Sequence, residues 1–162
     1  MHSKILQIGR EPIAKDDYRT PDDYIENSDD FADYIGDEIT GDERQECVGT
    51  FADMVKDVFT PVGRDTLAYR GKDALKAFKQ KWADRLKEMT DELTADNMLQ
   101  KQRLFNIEQI TKCTHLDTGY RVDITGWCDG IAYPFGELFE FADSQLEEGD
   151  RIFIGAVIDY HY

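Results

Sequence analysis

The chain has 162 residues, of which 41% are hydrophobic and 12% aromatic, and its formal net charge at pH 7 is −15. Disordered chains contain fewer aromatic and branched residues, so this composition predicts one globular domain over residues 1–162. The negative charge argues against direct binding to nucleic acid or to an anionic membrane surface. Basic proteins and cations are the partner classes that remain.

The cysteines and the hydropathy pattern indicate the cellular compartment. Cys47, Cys113 and Cys128 form no CxxC pair, and an odd number at irregular spacing favours a reducing, cytoplasmic location. The N-terminus shows no apolar signal-peptide region, and the longest apolar run, residues 152–158, is too short to cross a bilayer. No nucleotide-binding, zinc-protease, nucleophile-elbow or EF-hand motif occurs, so neither a cofactor nor a metal is predicted.

Two short helices are predicted near the N-terminus, after a short apolar strand at residues 5–8. Thr20 and Pro21 indicate the start of the first helix. The second is expected over residues 29–35, where Gly36 would end it. In both helices the aromatic and aliphatic side chains would anchor the helix to the core and leave the carboxylates outside.

These helices belong to an acidic stretch, residues 16–43, that carries most of the net charge. It contains twelve Asp or Glu residues and one Arg, a net charge of −11, which leaves −4 for the rest of the chain. An acidic pair followed by an aromatic ring recurs three times, at residues 16–18, 22–24 and 29–31. The carboxylates expected to form an interaction surface are Asp16, Asp17, Asp22, Asp23, Glu26, Asp29, Asp30, Asp33, Asp37 and Glu38.

Two longer helices are predicted next, with a short strand, residues 66–70, between them. A capping box at Thr40 indicates the start of the first helix, residues 41–59. The second, residues 71–93, repeats apolar residues at spacings of three and four, and this apolar seam should lie against the sheet. The members of the seam are Leu75, Phe78, Trp82, Leu86, Met89 and Leu93. Residues 70–87 have a net charge of +5 and form the only strongly basic segment.

The remainder of the chain is predicted to be mostly extended. Residues 104–127 are interpreted as a β-hairpin, because apolar and polar side chains alternate over residues 120–125, as in a strand with one exposed face. The polar members of this alternation are Arg121, Asp123 and Thr125. A short helix is expected over residues 136–146. Residues 151–160 are almost continuously apolar, which is typical of a central strand that is covered on both faces.

Together these elements predict a single-domain α+β fold. The sheet is expected to be mixed or antiparallel, with about four or five strands and with the helices mainly on one face. The basic helix and the acidic stretch can pair within the molecule or between subunits, and the sequence leaves the oligomeric state open.

Few side chains form patterns typical of catalysis. His115 with Asp117, in the hairpin turn, and His161 with Asp159, at the C-terminal end, come nearest to acid–base pairs. A polar turn and a solvated strand end explain them better, because a catalytic His needs a cleft and a partner. The acidic stretch has no defined ligand loop of the kind that oxygen-ligated cation sites usually need. No catalytic residue is therefore assigned.

The sequence favours a non-enzymatic interaction or regulatory protein that acts on a basic protein through the acidic surface. A sharper form is a DNA mimic that inhibits a nucleic-acid-binding protein. One continuous helix over residues 16–43 would be about 42 Å long, with one acid per about 3.5 Å, close to the spacing of about 3.4 Å in one DNA strand. Pro21 and Gly36 interrupt such a helix. The alternative of a different class is a small enzyme with a cleft lined by His115 or His161.

Overall fold

The computed structural model describes residues 2–28, 31–102, 105 and 119–162. In these residues seven strands form one open sheet. The strands are β1 (His2–Gly9), β2 (Tyr34–Glu38), β3 (Phe59–Gly63), β4 (Thr66–Tyr69), β5 (Tyr120–Ile124), β6 (Tyr133–Pro134) and β7 (Arg151–His161). The α-helices are α1 (Asp22–Ile25), α2 (Gly41–Val55), α3 (Lys72–Asp91) and α4 (Glu137–Gln145), and a 3-10 turn spans Lys15–Asp17.

The predicted combination of helices with one sheet is confirmed, but the predicted number of four or five strands is wrong. Two of the additional strands, β3 and β6, contain a proline, which sequence patterns associate with the end of an element. Pro61 and Pro134 are tolerated because β3 and β6 are the terminal strands of the described sheet. An edge strand has one row of N–H groups that needs no partner strand.

The predicted helix over residues 29–35 is also wrong, because its end belongs to β2. β2 lies antiparallel to β7. Gly36 does not end a helix but lies within this strand, where a Cβ would come within 3.1 Å of the Asp159 side chain. Asp29 and Asp30 lie outside the described residues. A long-range partner strand thus overrides a local helical pattern.

The long strand β7 organises the sheet. β1 lies antiparallel along one of its edges, and β5 pairs in parallel with β1 on the far side. The other edge of β7 is shared, because β4 pairs with its start and β2 with its end. The predicted central strand, residues 151–160, lies within β7. Its fully or almost fully buried side chains are Ile152, Ile154, Ala156, Val157, Ile158 and Tyr160.

The predicted hairpin over residues 104–127 is described only in part. Residues 104 and 106–118 lie outside the described residues. The described strand, β5, pairs with β1 in parallel and with β6 in antiparallel orientation. The prediction that one face of this strand is exposed fails at Asp123, which is completely buried beneath the N-terminal segment of the chain. Arg121 on the same side is partly buried, and Thr125, just beyond the strand, is exposed.

The two faces of the sheet are covered differently. The larger core cluster joins Leu6 of β1 to Phe51 of α2, Leu75 of α3 and Leu138 of α4. The next residue toward the N-terminus, Ile5, belongs to a smaller cluster together with α1. Successive strand residues point to opposite faces of a sheet. Three described α-helices therefore contribute to the cluster on one face, and the N-terminal segment covers the other.

The apolar seam of α3 is buried at its start. Leu75 is completely enclosed, and the Phe78 ring stacks on Phe139 of α4 with 4.7 Å between the ring centroids. Further along the helix Trp82 and Leu86 are only partly buried. The prediction that the seam lies against the sheet therefore describes the first turns of α3 and not its whole length.

Arg44 of α2 fills a gap beside β7, where the edge partner changes from β4 to β2. Its Nε and Nη2 donate to the carbonyl oxygen of Gly155 at 3.2 and 2.7 Å, and Nη2 also donates to the carbonyl of Ile154 at 2.9 Å. Its Nη1 donates to the Asp65 carboxylate at 2.6 Å. The guanidinium thus provides donors for buried carbonyls at the point where the strand partner changes.

Replacing Arg44 by Met keeps much of the side-chain volume and removes these donors. We expect the free energy of unfolding, measured by urea denaturation, to fall by about 2–4 kcal/mol, because buried carbonyl oxygens lose their partners. Lys56→Met, at a side chain that is 68% exposed, is the matched control and should change stability by less than about 0.5 kcal/mol. Equal losses in the two variants would contradict the role assigned to Arg44.

Candidate functional site

Residues 15–28, the docked segment, pack on the sheet face opposite α2. The 3-10 turn and α1 are its two helical pieces, and α1 lies where the sequence predicts the first short helix. The start of α1 differs in detail from the prediction. The Asp23 carboxylate accepts hydrogen bonds from the backbone N–H and the hydroxyl of Thr20 at 2.6 and 3.0 Å, whereas the Thr20 hydroxyl caps no helix N–H.

Gln7 of β1 holds the beginning of the docked segment. Its side-chain amide donates to the carbonyl of Asp17 at 3.0 Å, and its Oε1 accepts from the N–H groups of Arg19 and Ala156 at 3.0 and 3.2 Å. Gly155 provides the necessary space, because a Cβ at that position would lie 2.7 Å from Gln7 Oε1. A single polar residue in an apolar strand is the sequence signal for this contact.

Asp123 of β5 holds the rest of the docked segment. Its buried carboxylate accepts from Arg19 Nε and from the Tyr24 hydroxyl, each at 3.0 Å. The backbone N–H of Gly130 donates to the same carboxylate at 3.2 Å. Arg19 also reaches Asp129, at 3.5 Å. One buried polar network thus joins the docked segment, β5 and the turn that follows β5.

Burial and charge shift the ionisation of this network. Burial raises the pKa of Asp123, although the Tyr24 hydroxyl, the Arg19 charge and the Gly130 N–H act in the opposite direction. Burial also raises the pKa of Tyr24, and the neighbouring Asp123 charge raises it further. Burial alone would lower the pKa of Arg19, but the Asp123 charge raises it above its usual value. Tyr24 therefore stays neutral and remains a hydrogen-bond donor.

Sequence reasoning misses this network, although one signal points to it. Arg19 is the only base among the 28 residues of the acidic stretch. An Arg that is surrounded by many acids in the sequence could form an ion pair with any of them. The position of Arg19 alone therefore does not identify Asp123 as its partner. The alternation pattern in β5 predicts the opposite, an exposed Asp123.

A cleft of about 650 Å³ opens between the docked segment and the chain that follows β1. Gly9 and Thr125, which lie at the ends of β1 and β5, form part of its wall. Ligand sites are frequent at the carboxyl ends of parallel strands, and β1 and β5 are parallel. The charged residues of the lining are Arg10, Glu11, Asp16, Asp17, Arg19 and Asp23.

The structure separates the carboxylates that the sequence groups into one surface. The first group, the cleft carboxylates, is exposed on the docked segment and comprises Asp16, Asp17, Asp22, Asp23 and Glu26. Asp16, Asp17 and Asp23 line the cleft, and the other two lie in the same segment. The second group lies at or near β2 and comprises Asp33, Asp37 and Glu38. Asp37 and Glu38 line another cleft, of about 560 Å³, at the amino end of β1. At about 3.3 Å per residue, the length of β1 places the two clefts roughly 20 Å apart.

The cleft carboxylates form no ion pair within the described part of the chain. The basic segment, residues 70–87, does not neutralise them. Lys79 binds Asp143 of α4 at 2.8 Å, and Lys81 binds Asp57 at 3.0 Å. The pairing of the basic helix with the acidic stretch, which the sequence leaves open, is thus not seen in the described residues.

His161 and Asp159, near the C-terminal end of β7, each contact other residues. Asp159 binds His2 at 2.9 Å and Lys4 at 2.5 Å, and all three residues line the second cleft. His161 packs its ring against the edge of His2, with 5.2 Å between centroids, and lies 3.9 Å from Asp33. The acid–base pair of His161 with Asp159, which the sequence considers and does not favour, is not what these contacts show: Asp159 binds His2 and Lys4.

The described cysteines are buried thiols. Cys47 belongs to the apolar core of α2, as its helical position predicts, and Cys128 accepts a hydrogen bond from a backbone N–H. Burial raises the pKa of Cys128 to about 11, so its reactive thiolate form is scarce at neutral pH. Cys113, His115 and Asp117 lie outside the described residues.

Three further observations bear on the kind of site. In the described ranges no group of three or more His, Cys, Asp or Glu side chains is placed to hold a metal ion. None of the helices in this part of the chain has the length and apolar character needed to cross a membrane. Comparison with protein-family models, with curated proteins and with solved structures gave no match.

Replacing Asp123 by Ala removes the acceptor that Arg19 and Tyr24 share. We expect the free energy of unfolding to fall by about 3 kcal/mol, since a partly buried guanidinium and a buried hydroxyl lose their partner. Amide hydrogen exchange should rise most in residues 18–28. Asp53→Ala, at an exposed carboxylate of α2, is the control and should change neither quantity. An equal rise throughout the sheet would contradict a local anchoring role.

The raised pKa of Asp123 also predicts a pH dependence. Between the ordinary aspartate pKa and the raised value, the folded protein keeps a proton on Asp123 that the unfolded chain has released. The contribution of Asp123 to the free energy of unfolding therefore falls as the pH rises through this window and is constant above it. The free energy of the wild type minus that of Asp123→Asn, from denaturation at several pH values, should decrease across the window.

The pKa of Asp159 is shifted in the opposite direction, and Asp159 is present both in the wild type and in Asp123→Asn. Burial opposes the effect, but the hydrogen bonds from Lys4 and His2 lower the pKa of Asp159. Its contribution to stability is present above the ordinary aspartate pKa and is lost as the pH falls through the lowered value. This background cancels in the difference between wild type and Asp123→Asn. A difference that increases with pH would contradict the raised pKa of Asp123.

Proposed function

We propose that this protein is a non-enzymatic interaction or regulatory module that binds a basic protein through the cleft carboxylates. One observation carries this proposal. Five exposed acids lie within residues 16–26 of the docked segment, three of them in the cleft lining, and they form no ion pair with any described residue. Their charge is therefore available to a partner and is not neutralised by the basic helix.

The cleft gives this surface a concave feature. Its volume of about 650 Å³ lies within the range of pockets that bind ligands, which is about 300–1,000 Å³. Four carboxylates of its lining outnumber the two arginines. A Lys or Arg side chain of the partner would therefore meet an excess of acceptors, and Arg can bind a carboxylate through two parallel hydrogen bonds.

The docked segment prepares this surface for binding. Gln7 holds its backbone, and Asp123 holds the side chains of Arg19 and Tyr24, through hydrogen bonds that form before a partner arrives. This order reduces the entropy lost on association. Each exposed ion pair contributes only about 0–1 kcal/mol, so several must act together. Charged surfaces of this kind chiefly increase the association rate, and salt screens that effect.

A variant that neutralises four cleft carboxylates tests the proposal. It carries Asp16→Asn, Asp17→Asn, Asp22→Asn and Glu26→Gln, and it retains Asp23, which binds Thr20. The control neutralises four exposed acids elsewhere, with Asp73→Asn, Asp91→Asn, Asp96→Asn and Glu140→Gln. The partner recovered by affinity capture is then titrated against all three proteins.

We expect the control to bind as the wild type does and the cleft variant to bind at least about tenfold more weakly, because several ion pairs are lost together. Binding by the wild type should weaken as the salt concentration rises. Equal affinity of the two variants would show that net charge, and not this surface, is responsible. Equal affinity of all three proteins would show that neither surface takes part.

The same titration, with duplex DNA as a competitor, also tests the hypothesis that this protein is a DNA mimic. The continuous helix for which the charge spacing is calculated does not occur, because α1 has four residues and Tyr34–Glu38 is a strand. A partner that duplex DNA displaces from the wild-type protein would be a nucleic-acid-binding protein, and this protein would then act as its competitor.

A further inference from the structure

Trp127 is an exposed aromatic side chain that its neighbours hold in place. Its indole N–H donates to the Glu137 carboxylate at 2.7 Å, and its ring makes an edge contact with Phe141, with 5.8 Å between the centroids. Despite both contacts, Trp127 is 40% exposed. A large ring that is already fixed loses little freedom when a partner binds, and tryptophans of this kind often dominate the energy of an interface.

The surroundings of this ring favour a positively charged ligand. The face of an indole attracts cations. Glu137, at the edge of the ring, forms no ion pair within the described ranges, and only its Oε1 accepts the indole N–H. The other tryptophan, Trp82, already has the Arg85 guanidinium 5.9 Å from its ring centroid. No described cation lies over the Trp127 ring.

The loop that carries Trp127 begins at the wall of the cleft. Thr125 belongs to the lining of the cleft and lies two residues before Trp127. Two residues span at most about 7 Å, so the Cα atoms of this pair lie within that distance. Asp129, in the same loop, lies 3.5 Å from Arg19 of the docked segment. The loop and the docked segment are thus joined, and one extended segment of a partner can contact both.

We infer that Trp127 receives an arginine side chain of the basic partner, whose other basic side chains meet the cleft carboxylates. This inference rests on the proposed function and specifies a residue that the partner contains. A guanidinium is planar, is more weakly hydrated than an ammonium and stacks on aromatic rings, whereas a lysine offers a strongly hydrated point charge. The several N–H donors of the guanidinium also allow a charge-assisted hydrogen bond to the Glu137 carboxylate.

Two peptides of equal length and charge, hexa-arginine and hexa-lysine, test the inference. Each is titrated against the full chain by isothermal titration calorimetry. An extended peptide of this length spans about 20 Å, which is enough to reach from the cleft to Trp127. We expect the wild type to bind hexa-arginine about threefold more tightly than hexa-lysine, a difference typical of one exposed cation–π contact.

Trp127→Leu should abolish this preference, so that the variant binds both peptides about as the wild type binds hexa-lysine. Trp82→Leu, the matched control, should keep the preference. The circular dichroism of each variant reports whether it is folded. A Trp82→Phe protein gives a measurement that needs no change at Trp127, because Trp127 is then the only tryptophan. Its emission should change on addition of hexa-arginine and much less on addition of hexa-lysine.

The outcomes separate this inference from the proposed function. The cleft variant with four neutralised acids should bind both peptides more weakly and still prefer hexa-arginine. A wild type without a preference, a preference that Trp127→Leu leaves unchanged, or Trp127 emission that saturating hexa-arginine leaves unchanged overturns the inference alone. Equal affinity of the wild type and the cleft variant for both peptides would contradict the proposed function. A wild type that binds neither peptide would overturn both.

Discussion

The arrangement of this protein depends on the buried carboxylate of Asp123. An ionised carboxylate without partners costs several kcal/mol in a protein interior, so its burial requires donors. Two of these donors, Arg19 and Tyr24, come from a segment about one hundred positions away in the chain. A sheet that encloses Asp123 must therefore bring the docked segment onto this face, and the segment then excludes water from the carboxylate that holds it.

This constraint also explains the recurring acidic pair with an aromatic ring. Tyr24 is buried and binds Asp123, whereas Tyr18 and Phe31 are partly buried against the same cluster. The Phe31 ring also packs against Tyr160 of β7, with 5.4 Å between centroids. The rings hold the segment on the sheet, and the described acids beside them face solvent. The pattern thus has an anchoring half and an exposed half, and the exposed half provides the surface proposed for binding.

The two charged surfaces of the molecule have separate neighbours. The described ion pairs of α3 are made with Asp57 and Asp143, and the cleft carboxylates lie beyond the opposite face of the sheet. The described ion pairs of α3 therefore leave the charge of the cleft carboxylates unneutralised.

Elements whose patterns are local can be predicted from the residues alone. The helical spacing of α3, the helix at α4 and the apolar run of β7 are visible in the residues, because propensity and periodicity act over one or a few turns. The position of α1 follows from Pro21 for the same reason. The sequence also indicates which part of the chain carries the acidic surface, although not that β1 divides its carboxylates between two ends.

Features that depend on distant residues form only when the chain folds. Tyr34–Glu38 becomes a strand because the edge of β7 provides hydrogen-bond partners. These hydrogen bonds outweigh the helical spacing of the apolar residues in this part of the sequence. The gap that Arg44 fills exists only once β4 and β2 share that edge. Asp123 occupies the polar side of an alternating strand, and only the arrival of the docked segment turns that side into an interior. Local spacing carries no information about these contacts, because each joins segments far apart in the chain.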